Sequence, residues 1–239
     1  MLSLEPKGLA DGPIMADGPI NLAEYIDHTL LLPMVTPEEI DQGCEIALRY
    51  GFPTFCVPPC YVPRVVERLH GSPVRVSTVV GFPLGTNTAE VKLYEAQLAV
   101  EQGCRELDVR INLAWLKAGE LDRLHAEIAQ LVEETGVCVK AILETAQLTD
   151  EEKKLAAEIC MDAGVAFLMT STGWMGGATP ADVQLLWQLS RGRVGVKASG
   201  GIRTVAQAEA MIAAGASRIG TSWGLELMRE LEARGAGGP

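Results

Sequence analysis

Three apolar runs are interrupted, at every second position, by side chains that can carry a charge or move a proton. Leu107-Asp108-Val109-Arg110-Ile111-Asn112 sets Asp108, Arg110 and Asn112 against three aliphatics. Val139–Glu144 does the same with Lys140 and Glu144, and Val194–Ser199 with Lys197 and Ser199. A strand turns successive side chains to opposite faces, so each run has one aliphatic and one polar face. Burying Asp108, Lys140 and Lys197 together is costly unless the charges pair. Two readings stay open. One is a structural ion cluster. The other is a site that activates an amine: burial and a second cation lower a lysine's pKa and free its lone pair to attack a carbonyl. Asp108 would then carry protons. That second reading is Schiff-base chemistry on an aldehyde or ketone.

The elements that must position these residues alternate regularly. Strands are expected at 25–31, 54–58, 75–82, 106–112, 138–144, 166–172, 194–199 and 218–222. Helices are expected at 37–50, 63–69, 88–102, 121–134, 150–163, 180–189, 205–214 and 225–233. Thr36-Pro37-Glu38-Glu39 and Thr149-Asp150-Glu151-Glu152 carry helix-start signatures, and Gly51, Gly103, Gly136, Gly164, Gly192 and Gly215 stand where helices end. Eight strand–helix units predict an α/β fold of the (β/α)8 (TIM) barrel type, with the site at the C-terminal ends of the strands. A doubly wound sheet is disfavoured because no strand is followed by a Gly-rich phosphate or dinucleotide motif. Within the sixth strand, Met169 points inward if Leu168 packs outward.

Composition narrows the function classes. The 239 residues are 48% hydrophobic, enough for a substantial core, and carry 20 Lys+Arg against 31 Asp+Glu, a net charge of -11. No basic excess supports nucleic-acid binding, and no apolar run is long enough to span a membrane. The six cysteines show neither zinc spacing nor a disulfide framework, and a cytoplasmic location is the default expectation. No motif calls for a cofactor or a metal. The 1–21 segment, with its repeated Ala-Asp-Gly-Pro-Ile, reads as a flexible arm, 22–234 as the barrel and 235–239 as a loose tail. His28 is expected to anchor a hydrogen bond within a strand, His70 and His125 to be solvated, and Trp187 to pack in the core.

The chain resembles the deoxyribose-phosphate aldolase family, class I aldolases with a barrel fold. The resemblance runs from about Tyr25 to Ser222. It rests on Ile26-Asp27-His28-Thr29-Leu30-Leu31, Val79–Gly85, Leu143-Glu144-Thr145, Thr170-Ser171-Thr172-Gly173, Gly195–Arg203 and Gly215–Ser222. It implies cleavage of 2-deoxy-D-ribose 5-phosphate to glyceraldehyde 3-phosphate and acetaldehyde without a metal, and a homodimer. By the same resemblance Asp108 is the proton-relay Asp, Lys197 the second lysine and Lys140 a further lysine. Gly173, Gly200, Gly201 and Ser222 fall where the phosphate is held, beside Thr172.

Met169 is the decisive departure. It occupies the place of the family's Schiff-base lysine, immediately before Thr-Ser-Thr-Gly, and a thioether cannot form an imine. Further departures fall at the same barrel end: Leu32, Ala114-Trp115, Trp174-Met175 and Trp223. Trp115, Trp174 and Trp223 are therefore expected to line the mouth. The first expectation is a repurposed pocket for a bulkier, more apolar carbonyl substrate. Asp108, Arg110, Lys140 and Lys197 would act there as acids and bases, or Lys197 itself would form the imine. The alternatives are an aldolase disabled by a Lys-to-Met change and a non-catalytic binder of small molecules.

Overall fold

A computed structural model describes residues 20–236; the expectations for residues 1–19 and 237–239 lie outside the described residues. The strands are β1 (Ile26–Thr29), β2 (Thr54–Val57), β3 (Arg75–Val80), β4 (Glu106–Arg110), β5 (Cys138–Ile142), β6 (Phe167–Met169), β7 (Gly195–Ser199) and β8 (Arg218–Thr221). All neighbours pair in parallel and β1 pairs with β8, closing an eight-stranded barrel. The helices are α1 (Pro37–Tyr50), α2 (Val62–Arg68), α3 (Ala89–Glu101), α4 (Leu113–Ala118), α5 (Leu121–Thr135), α6 (Asp150–Asp162), α7 (Pro180–Ser190), α8 (Val205–Ala213) and α9 (Gly224–Ala236).

Local chemistry accounts for the boundaries. Thr36 and Thr149 each accept from the backbone N–H three residues on while Glu39 and Glu152 reach back, so α1 and α6 start with complete capping boxes. Gly51 and Gly136 take the left-handed conformation that ends α1 and α5. At the end of α7 the left-handed cap is Arg191, one residue before the expected Gly192. Every strand but β7 ends earlier at its C-terminus than periodicity alone indicates, and α4 is an additional helix. Both have one cause after β4. Asn112 leaves the sheet and its side chain accepts from the N–H groups of Ala114 and Trp115, nucleating a helix where the strand pattern ran on.

The aliphatic faces pack under the helices as the alternation requires: Leu107, Val109, Val139, Ala141, Leu168, Val196 and Ala198 all join the buried apolar layer. Trp187 packs against that layer, with its ring 2.4 Å from where a Cβ on Gly215 would stand. No helix among the described residues is long and apolar enough to cross a membrane.

Candidate active site

Inside the barrel the polar faces converge. Asp27 (β1), Glu106 and Asp108 (β4), Lys140 (β5), Lys197 (β7) and Arg218 (β8) are all buried, and their formal charges balance. Lys197 Nζ lies 2.7 Å from Asp108 Oδ2 and 2.8 Å from Asp27 Oδ2. Lys140 Nζ lies 2.6 Å from Glu106 Oε2, 2.9 Å from Asp108 Oδ1 and 3.5 Å from Asp27 Oδ2. Arg218 joins Asp27 to Glu106, and the half-exposed Arg75 meets Glu106 at 2.7 Å. Gly220 on β8 leaves room for this crossing, since a Cβ there would stand 2.9 Å from Lys197 Cε.

The cluster sets the protonation states. Burial pushes Asp27 and Asp108 up, but the facing lysines outweigh it and hold both below the usual carboxylate range. Burial pushes Lys197 and Lys140 down. The carboxylates, Asp108 first, outweigh that too and raise both above the ordinary lysine range. This direction is opposite to the one an imine-forming lysine needs.

Above the cluster a cavity of about 340 Å³ opens at the C-terminal ends of the strands. Asp108 and Met169, 1% and 4% exposed, close its inner end. Its walls are Leu31, Leu32, Val79, Phe82, Ile202, Trp174 and Trp223, with Ser199 among them. The Phe82 and Trp174 rings meet edge to face at 6.2 Å, and the Arg203 guanidinium lies over the Trp223 ring at 5.6 Å. Thr172, Gly173, Gly200, Gly201 and Ser222 form the rim. The three glycines have positive φ, and their N–H groups take no partner among the described residues, the arrangement of an anion-binding concavity. Asp108 is the one carboxylate in this lining and Arg203 the one formal cation; no lysine is part of it.

The comparisons with known proteins fit this geometry. The model of the DeoC/LacD family aldolase matches residues 22–229. The chain belongs to the DeoC/LacD aldolase family. It is 58% identical over 219 residues to the deoxyribose-phosphate aldolase of Microcystis aeruginosa (strain NIES-843 / IAM M-2473), covering 92% of this chain and 97% of that one. It is 61% identical over 210 residues to that of Cyanothece sp. (strain PCC 7425 / ATCC 29141), covering 88% and 92%. Among solved structures it is similar to QR15, an aldolase, with a TM-score of 0.87 at 39% identity and 91% and 99% coverage. The tetrameric deoxyribose phosphate aldolase of Aeropyrum pernix superposes with a TM-score of 0.83 at 34% identity, with 89% and 92% coverage.

Against this family frame the expected residues divide. Asp108, Met169, Thr172, Gly173, Trp174, Gly200, Gly201, Ser222 and Trp223 are brought together around one cavity. Lys140 and Lys197 stand behind it, fully buried. Three residues are elsewhere. Arg110 is buried but turned away: Nη1 donates to the Ile111 and Ile142 carbonyls and Nε lies 3.3 Å from Glu144 Oε2. Asn112 is spent on the α4 cap. Trp115 is buried in the core under the Arg123 guanidinium, so two tryptophans, not three, flank the mouth.

Periodicity also missed residues. Asp27 sits between Ile26 and His28, Glu106 is two positions before Asp108, and Arg218 two before Gly220. The alternation that revealed Asp108 already marks Glu106 on the same strand, and it marks Asp27 and Arg218 once it is extended to the first and last strands. His28 is a packing residue first: its ring stacks on Phe55 at 5.4 Å, and burial pushes its pKa down to about 4 against the opposing pull of the Thr221 backbone. All six cysteines are free, and no metal-binding group of His, Cys, Asp or Glu occurs among the described residues.

Proposed function

We propose that this family member makes or breaks carbon–carbon bonds by acid–base catalysis without a covalent imine, on a carbonyl substrate bulkier and more apolar than deoxyribose 5-phosphate. One observation carries the reading: the cavity has no lysine in its lining, Met169 stands at the family's imine position, and Lys197 is held by two carboxylates behind it. Lys197 could reach a carbonyl only by leaving both ion pairs, a buried break that costs about 3–5 kcal/mol.

Asp108 is the base. It remains ionised across the neutral range, and it alone among carboxylates touches the cavity. In a β-hydroxy carbonyl substrate it takes the hydroxyl proton. The bond between the α and β carbons breaks and its electron pair moves onto the carbonyl oxygen as an enolate. The Ser199 hydroxyl and the rim N–H groups are the donors available to that oxygen. Return of the proton from Asp108 to the α carbon completes the cycle. Lys197 and Lys140 hold Asp108 in place and keep the cluster's charge balanced. Trp174, Trp223, Phe82 and Leu32 offer an apolar seat, which supports the larger substrate.

The test is α-proton exchange of 3-phenylpropanal in deuterated buffer, followed by NMR. Enzyme-dependent exchange, lowered about 100-fold or more in Asp108→Asn, is expected. Equal exchange in both proteins would overturn Asp108 as the base.

A further inference from the structure

The mouth is fastened from behind by a buried polar chain that the reaction does not use. Glu144 follows β5 in the left-handed region, with φ +57, a conformation that costs free energy for any residue with a side chain. It is fully buried, and so is its partner Arg110, whose Nε lies 3.3 Å away. Arg110 is in turn held by two carbonyls, and its own carbonyl accepts from Lys92 Nζ at 2.9 Å. Lys92 pairs with Glu127 at 2.9 Å, so the chain is anchored between α3 and α5. At its other end the Glu144 carboxylate accepts from the Thr172 hydroxyl at 2.8 Å and from the Thr172 N–H at 3.3 Å. The same hydroxyl oxygen accepts from the Trp174 N–H at 3.1 Å.

We infer that Glu144 is a positioning residue, and that its left-handed backbone and its pairing with Arg110 exist to hold the Thr172–Trp174 loop. Holding Thr172 settles both sides of the mouth. Gly173 sits directly against the next loop, because a Cβ on Gly200 would stand 2.9 Å from Gly173 Cα. The Trp174 N–H is consumed by the clamp, which turns its ring to the wall beside Phe82, while the Gly173 N–H is left free for an anion. Carboxylate-to-N–H and carboxylate-to-hydroxyl bonds suit this task, being charge-assisted and anchored on a carboxylate that is itself fully buried. The inference rests on the reading of the glycine rim and the Trp174 wall as the ligand's seat.

Three variants test it. Thr172→Val removes the receiving hydroxyl and leaves the Arg110–Glu144 pair intact, Glu144→Gln removes the charge, and Thr172→Ser restores the hydroxyl. Hydrogen exchange reads the Thr172 and Trp174 amides, and calorimetric titration with inorganic phosphate reads the rim. Thr172→Val should exchange these amides about tenfold faster, the change that goes with losing one charge-assisted hydrogen bond, with the barrel strands still protected. Its phosphate affinity should fall several-fold, and Thr172→Ser should recover both. If Glu144→Gln does not fold, Thr172→Val decides alone. Native exchange at both amides in a folded Thr172→Val variant would overturn the clamp. Fast exchange in a protein whose wild-type form takes no phosphate would support the clamp and retire the rim reading instead.

Discussion

Returning a lysine to position 169 tests the electrostatics of the site most sharply. Met169 is paired in register with Lys197, so the two side chains leave adjacent strands, about 5 Å apart. Two positive charges at that distance, with an effective dielectric of 20, repel by about 3 kcal/mol, or roughly 2.4 pH units. Asp108, already bound by two ammonium groups, offsets part of this, and burial of a site 4% exposed in the parent adds back a comparable amount. The amine introduced by Met169→Lys should therefore titrate near pH 8, about two pH units below a free lysine. Mass spectra after reaction with acetaldehyde and borohydride, taken from pH 6 to 11, should show a single adduct rising with that midpoint. The variant should also be assayed on deoxyribose 5-phosphate. Full turnover would mean that the pocket is still an ordinary aldolase pocket, and would refute the enlarged-substrate reading. A trapping midpoint at or above pH 10 would refute the charge argument, since it would mean that the carboxylates, not Lys197, dominate the field at this position.

Stability should respond to pH in three ranges. His28 titrates at about 4 when folded and near 6.5 when unfolded, so the unfolded chain binds the proton more tightly. Stability should fall by about 3 kcal/mol from pH 7 to pH 4 on this account, and His28→Phe should flatten that slope in denaturant titrations. Asp27 and Asp108 are depressed, so their contribution is present above the ordinary carboxylate range and is lost as acid protonates them. Lys140 and Lys197 are raised, so theirs is present below the ordinary lysine range and is lost only in strong alkali. Gly200→Ala combines φ +93 with a Cβ 2.9 Å from Gly173 Cα, both of them backbone constraints. It should cost about 1–3 kcal/mol in denaturant titrations and weaken binding of inorganic phosphate.

How far the site was legible follows from where each residue sits. Asp108, Lys140 and Lys197 were readable because alternation holds while a residue remains in a strand, and Met169 because the strings around it left a single place for the missing lysine. Asn112 and Trp115 were misplaced because alternation stops at Arg110. Beyond it the backbone turns into a helix whose cap uses Asn112 and whose buried face takes Trp115. The reversal of the lysine pKa values was hidden for another reason. A second cation near Lys197 lowers its pKa only if the carboxylates are fewer, and the second carboxylate on Lys197, Asp27, arrives from β1 at the far end of the chain. The Glu144 clamp has almost no signature in sequence, since a left-handed glutamate is not distinguished by residue type.

The most direct measurement is an intact-mass spectrum of the unmodified protein after acetaldehyde and borohydride at neutral pH, run beside Lys197→Ala. No adduct is expected in either. An ethyl adduct on the unmodified protein that disappears in Lys197→Ala would contradict that expectation, placing the imine on β7.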